Sequence, residues 1–367
     1  MSVTRRAFLK SSVVTAGMVA AVSLAGCAKG GSTGGSPSSG SYPNGKIAAV
    51  RNMQSSDHTT QFFAGITAEG NALGFQVDTF MSDGDDSKMV NLLDQVIGQD
   101  YKALIISSAN EGYQAKKVKD AVDKGMKVVC FDCAGEKVDG VNYNTQDDES
   151  LTDISIKAMV EKVTANGGAK PVKFIDINAP SAILPFQRRE DQITVLSQQG
   201  EVEEVSQISN ILSGDAYSTI NTAVSTALSA DTNKEIKGVW AASSSFLDGA
   251  VDAIEGAGRD DVVCTAVDIS NTEITRLLKH PCYYCVSCVD PYIIGVVNAR
   301  LAVLELLGSS EVPAEYSFEA TSLKSGDVKE GDSMTTVFPG TTDEFDTEEI
   351  KAVREKATNG EAYDFGA

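Results

Sequence analysis

Residues 103–132 read ALIISSANEGYQAKKVKDAVDKGMKVVCFD, and this stretch decides the fold class. Ala103–Ser107 is a short apolar run closed by serines, the pattern of a strand buried on both faces. Gln114–Lys124 carries a helical pattern, and Lys127–Asp132 is a second, valine-rich run that ends on an aspartate. Strand, helix and strand in immediate succession make a βαβ unit, which joins parallel strands. The same alternation continues on either side. Strands are predicted at Ile47–Arg51 and Phe75–Phe80, then at Val172–Ile177, Glu201–Ile208, Gly238–Ala242, Val262–Val267 and Tyr283–Val289. Helices are predicted at Thr60–Ala72, Met89–Ile97 (with Ser87 as its cap), Leu151–Val163, Phe186–Ser197, Tyr217–Leu228, Leu247–Gly256, Glu273–Leu278 and Tyr292–Leu307. The expected fold is α/β, with two doubly wound parallel-sheet domains in series and a break near residues 144–150. The 367 residues are enough for two such domains. Beyond Gly340 the chain is acidic, with one short helix predicted at Thr347–Lys356.

The first 26 residues stand apart from this pattern. Arg5, Arg6 and Lys10 make a cationic start, and an apolar stretch runs from Val13 to Leu24. The stretch is too short for a comfortable membrane span. Leu24-Ala25-Gly26-Cys27 follows it and resembles a bacterial lipobox, which implies a lipoprotein signal peptide over 1–26 and a lipid on Cys27. Thr4-Arg-Arg-Ala-Phe-Leu-Lys10 also resembles a twin-arginine export signal, and general secretion remains the other route. Residues 27–45, rich in Gly and Ser, read as a flexible tether. The expected address is the outer face of the cytoplasmic membrane, in the cell envelope.

Composition narrows the function. With 31 Lys plus Arg against 51 Asp plus Glu, the net charge of −20 argues against binding to nucleic-acid backbones. Hydrophobic residues at 42% with charged residues at 22% exclude a disordered chain or a coiled coil. There is no G-x-G-x-x-G after a strand, no P-loop, no H-E-x-x-H and no G-x-S-x-G. Only two histidines are available to a hydrolytic site, His58 and His280. His58 lies between the first strand and first helix, on the ligand-facing end of an open parallel sheet, whereas His280 sits in a turn before Pro281. No metal and no cofactor is expected, and no enzyme activity.

Four stretches now carry a resemblance: Lys127-Val-Val-Cys-Phe-Asp132, Ala241-Ala-Ser-Ser-Ser-Phe-Leu-Asp-Gly249, Gly258-Arg-Asp-Asp-Val-Val263 leading to Asp268, and Asp290-Pro-Tyr-Ile-Ile-Gly295. Over roughly residues 46–340 the chain resembles the periplasmic sugar-binding proteins of the ribose/galactose type, relatives of the LacI-type ligand domain. The resemblance implies a type I periplasmic binding protein, with two lobes joined by three crossovers. The N-terminal lobe is expected over 46–144 plus 290–318, the C-terminal lobe over 145–289 plus 319–345, and an acidic tail over 346–367. Ligand is expected between the lobes, which close on it by hinge motion. A DNA-binding module would have to precede residue 46, where only leader and tether are read.

The implied ligand-binding residues are Asp132 and Asp268, which accept from sugar hydroxyls. Arg189 (with Arg188 as its competitor one position away) donates from its fork, and Tyr217, in Gly214-Asp-Ala-Tyr217, stacks. His58 and Ser244 fill places where the family usually carries an aromatic and an aspartate. Cys133 and Val289 likewise replace family hydrogen-bonding residues, so several pyranose-gripping groups are missing. A sugar, smaller polyol, modified sugar, furanose or nucleoside all suit the family. The expected function is a solute-binding protein of an ABC importer, a monomer that docks on a membrane permease.

Besides Cys27 there are six cysteines, Cys130, Cys133, Cys264, Cys282, Cys285 and Cys288. Export permits disulfides, and at least one is expected, with Cys264 near Cys285 or Cys288 and with Cys133 and Cys288 both near the hinge. The C-x-x-C spacings also leave open an exported redox or hydrolytic enzyme that uses the cysteine pairs. A ligand-reading partner of a membrane sensor kinase is the other open reading.

Overall fold

The computed structural model describes residues 42–212 and 214–366. The leader, the lipobox with Cys27 and most of the expected tether lie outside the described residues. The first lobe begins β1 (Gly45–Arg51), α1 (Asp57–Ala72), β2 (Phe75–Met81), α2 (Asp86–Ile97), β3 (Ala103–Ser107), α3 (Gln114–Asp123), β4 (Lys127–Phe131) and β5 (Asn142–Gln146). The second continues with α4 (Asp148–Ala165), β6 (Val172–Ile177), α5 (Leu184–Gln198), β7 (Val202–Ile208), α6 (Ala216–Ala230), β8 (Ile236–Ala241), α7 (Leu247–Gly256), β9 (Val263–Val267), α8 (Asn271–Lys279) and β10 (Tyr283–Cys288). The chain then returns through α9 (Pro291–Leu307) and β11 (Glu315–Phe318), crosses to β12 (Thr321–Lys324), and ends with α10 (Met334–Val337) and α11 (Glu348–Thr358).

Two six-stranded sheets result, ordered β11-β5-β4-β3-β1-β2 and β12-β10-β9-β8-β6-β7. Every pairing is parallel except β10 with β12. Both are doubly wound, so helices cover both faces and central strands are apolar throughout; all five residues of β3 are buried. The chain passes between the sheets three times: from β5 into α4, from β10 into α9, and from β11 to β12.

Local chemistry explains the boundaries. The carboxylate of Asp85 accepts from the Lys88 N–H and caps α2 two residues earlier than the expected Ser87. Ser56, Asp147, Asp215, Ser270 and Asp290 cap α1, α4, α6, α8 and α9 in the same way. Gly65 and Gly295 let α1 and α9 touch backbone to backbone: a Cβ on Gly295 would stand 2.2 Å from the Phe62 carbonyl oxygen. This contact ties the helix that follows the second crossover to the helix that carries His58. The segment read as an acidic tail folds onto the first lobe, where Ile350 and Val353 are buried and Arg354 pairs with Glu69.

Strand β5, Asn142-Tyr-Asn-Thr-Gln146, was not legible as a strand because it is polar. Its amides serve the hinge: Asn142 Nδ2 donates to the Pro313 carbonyl, and Asn144 exchanges hydrogen bonds with Asn298 of α9.

Candidate functional site

The two expected carboxylates occupy matching places. Asp132 follows β4 and Asp268 follows β9, each in the left-handed region with φ of 50° and 73°. Aspartate tolerates that region better than most side chains. Each backbone N–H is held by the next strand, Asp132 by the Asn144 carbonyl and Asp268 by the Ser287 carbonyl, both at 2.9 Å. The turn lifts each carboxylate off the carboxyl end of its sheet and into the space between the lobes.

The surroundings of the two acids differ. The Asp132 carboxylate accepts from Thr145 Oγ1 at 2.5 Å and takes part in no ion pair among the described residues. Burial raises its pKa, against the pull of Thr145, Arg188, Arg189 and Arg51. Burial pushes the Asp268 carboxyl up as well, but the charges of Arg189 above all and of Arg51 overcome it and hold Asp268 below the usual range.

Arg189, on α5, is 2% exposed. Its Nε donates to Asp148 Oδ1 at 2.9 Å, Nη1 to the Ala242 carbonyl and to Asp268 Oδ2 at 3.2 Å, and Nη2 to Asp268 Oδ1 at 3.4 Å. Most of the guanidinium's donors are therefore spent on the protein. Its part is to hold Asp148 and Asp268 in place, which corrects the expectation of a ligand-gripping arginine. Arg188 lines the cavity instead. It is half-buried, its Nη1 donates to Thr145 Oγ1 at 2.7 Å and lies 3.4 Å from Asp148 Oδ2, and other donors remain. Thr145 thus links Arg188 of the second lobe to Asp132 of the first through one hydroxyl on the hinge strand. Asp148 opens α4, is 2% exposed, and is pushed up to about 7 by burial, with Arg189 opposing.

Sequence reading missed Arg51, the last residue of β1. It is 4% exposed, and its guanidinium lies 4.5 Å above the Phe62 ring. Nη1 donates to Ser107 Oγ at 3.0 Å and Nη2 faces His58 Nδ1 at 3.2 Å. Arginine only donates, so His58 Nδ1 is the acceptor and its proton sits on Nε2. Burial, then the Arg51 charge, drives the His58 pKa down to about 3. The imidazole is neutral in the closed site and offers one N–H. An arginine ending an apolar strand gave no signal of this role beyond its position.

The remaining expected residues are not brought in. Tyr217 is 46% exposed and donates to Asp252 Oδ2 at 2.6 Å, so the expected stacking aromatic is absent from the site. Ser244 is buried in the turn before α7, where its carbonyl accepts from Arg276. Among the described residues no disulfide is formed. Cys133 lies beside Cys130 and Cys282 beside Cys264, so the neighbour of Cys264 is Cys282 rather than Cys285 or Cys288. Register explains this: Cys264 lies opposite Tyr283, and Cys285 lies opposite Thr265. No cluster of three cysteines or histidines suited to a metal occurs among the described residues.

A cavity of about 260 Å³ opens beside Asp132, bounded by Thr145 and Arg188 and, on the hinge side, by Tyr143, Asn144 and residues 315–317. The lobes are closed. Asp57, first residue of α1, accepts from the Asn271 backbone N–H at 2.9 Å and from its Nδ2 at 3.0 Å, at the first residue of α8. This latch lies at the exposed rim, so Asp57→Ala should weaken ligand binding about threefold to tenfold, chiefly through faster release. Calorimetry with stopped-flow dissociation checks it; unchanged release would mean the latch does not hold the closed form.

The model of the family described as "Periplasmic binding protein domain" matches residues 47–310. This chain belongs to that family. Its members are solute-binding proteins rather than enzymes, and the family is extracytoplasmic. A sugar ABC transporter protein from Yersinia enterocolitica subsp. enterocolitica 8081 is 30% identical, with a TM-score of 0.73 over 85% of this chain and 95% of that one. A 5-methylthioribose transporter solute-binding protein from Thermotoga lettingae, in complex with 5-methylthioribose, is 23% identical with a TM-score of 0.72 over 85% and 98%. A solute-binding protein from Agrobacterium vitis with bound allitol is 20% identical, with a TM-score of 0.63 over 80% and 97%. The two-lobe, type I fold expected from the sequence is the fold of this protein. Among the described residues no helix is long and apolar enough to cross a membrane.

Proposed function

We infer that this family member is the solute-binding protein of an ABC importer, anchored by a lipid on Cys27, and that it captures a neutral, hydroxyl-rich molecule between its lobes. The observation that carries the ligand class is the charge balance of the site. Arg51, Arg188 and Arg189 face Asp132, Asp148 and Asp268, and His58 is neutral. Three arginines stand against three carboxylates, of which Asp148 is pushed up to about 7, so no large surplus of either sign faces an ionic ligand, while Asp132 offers acceptors and Arg188 and His58 offer donors. That mixture suits sugar hydroxyls. The structural relatives with bound 5-methylthioribose, allitol and D-arabinose support the same class. The closed form then docks on the permease, and no bond is made or broken.

The test is a thermal-shift and calorimetric panel of pentoses, hexoses, alditols, 5-methylthioribose and nucleosides against the full mature chain. A neutral polyhydroxy compound should raise the melting temperature, because it binds only the folded protein. Stabilisation by sugar acids or sugar phosphates alone would overturn the ligand class. Mass spectrometry of the membrane fraction should find an acylated N-terminal Cys27; a soluble form cleaved elsewhere would overturn the anchor.

The neutral His58 predicts a pH dependence. In the closed site burial, with the Arg51 charge, holds the His58 pKa down to about 3. Opening the lobes relieves part of that burial, so the open form binds a proton more readily and closure weakens as the pH falls. Affinity should therefore drop between pH 7.5 and pH 5, with part of the drop carried by His58. Comparing Kd across this range in the native protein and in His58→Gln isolates that contribution, and parallel profiles would refute it.

A further inference from the structure

A second polar knot lies on the other side of α5, where nothing in the ligand site explains it. Asp176 on β6, Glu190 on α5 and Glu204 on the edge strand β7 each bring an oxygen within 4.8 Å of the others. None of the three takes part in an ion pair among the described residues. The donors present are amides: Gln207 Nε2 to Asp176 Oδ2 at 2.9 Å and to Glu190 Oε2 at 3.0 Å, and Asn178 Nδ2 to Glu190 Oε2 at 3.0 Å. Asp176 and Asn178 are both 0% exposed. One oxygen of each, Asp176 Oδ1 and Asn178 Oδ1, meets no donor. Unpartnered buried oxygens beside mutually repelling carboxylates are costly unless something positive sits with them.

We propose that Asp176, Glu190 and Glu204 form a binding site for a hard divalent cation, calcium above magnesium. The donor set is all oxygen, with no histidine or cysteine, which disfavours zinc, copper and iron. The ligands come from a central strand, an edge strand and a helix, and Glu204 is exposed, so the arrangement is irregular and open to water on one side. Calcium accepts six to eight such ligands, whereas magnesium demands a regular octahedron. Glu190 directly follows Arg188 and Arg189 on α5. A cation there clamps that helix to β6 and β7 and steadies the two arginines at the ligand site.

The full mature chain, stripped with EDTA and dialysed, is titrated with calcium and magnesium by calorimetry and followed by thermal shift at constant ionic strength. One calcium per chain should bind, with a Kd of about 10⁻³ M or tighter. Calcium should raise the melting temperature more than magnesium does, and Glu204→Gln, on the exposed side, should weaken binding at least tenfold with the fold intact. Asp176→Asn should abolish binding. The competing occupant is a proton shared by Asp176 and Glu190. In that case no saturable calcium binding appears and Asp176→Asn is as stable as the native chain or more so, which overturns the proposal. Calcium binding that persists unchanged in both variants would assign it to another acidic surface and overturn it equally.

Discussion

Arg189→Met should lower the melting temperature of the second lobe by about 10 °C. The substitution keeps the apolar bulk of the side chain but strips Asp148, whose side chain is fully buried, and Asp268 of their shared cation. It also leaves the Ala242 carbonyl without its guanidinium donor. Removing one partner of a buried ion pair typically costs about 3–5 kcal/mol, and in a domain of this size each kcal/mol moves the midpoint by about 2–4 °C. The effect should be present without ligand, because these contacts lie within the second lobe. Differential scanning calorimetry of the apo protein measures it. A midpoint within about 2 °C of the native one would mean that the triad is no structural brace, and Arg189 would return to the list of ligand donors.

Asp132→Ala should do the opposite: abolish binding and leave the fold alone. Its carboxylate has one hydroxyl partner and no cation bonded to it, and it borders the cavity on two sides. Two hydrogen bonds from ligand hydroxyls to an ionised carboxylate are together worth about 3–6 kcal/mol. Affinity should therefore fall at least about 100-fold, enough to erase a ligand-induced thermal shift. The apo melting temperature should move by less than about 2 °C. Asp268 is no equivalent probe despite its matching position, since its removal also unpairs Arg189. Retained affinity in Asp132→Ala, measured by calorimetry with the best ligand from the panel, would mean that the ligand sits elsewhere.

Reading the sequence recovered most strands and helices to within a few residues, because the two periodicities are local and the doubly wound pattern repeats them. It missed β5, β11 and β12. These are short and mostly polar, so they show no apolar run, although Tyr143 and Phe318 still reach the core of the first lobe. The two strand-end acids were legible for a local reason as well, since each closes an apolar run, while their expected role came from the family resemblance. Tyr217 misled, since an aromatic at a helix start looks the same whether it faces a cleft or, as here, Asp252 and solvent.

By itself, then, the amino-acid order determined the α/β class, the two-lobe family and the strand ends at which Asp132 and Asp268 stand. The class and the strand ends follow from side-chain patterning over a few residues, and the family from the resemblance carried by four motifs. Only the tertiary structure decided which of two adjacent arginines is spent on the protein, that burial beside Arg51 keeps His58 neutral, and that three arginines face three carboxylates. Those outcomes depend on groups far apart in the chain, such as Arg189 with Asp148 and Asp268. Coulomb and desolvation energies are set by distance and burial, and neither is a property of sequence neighbours.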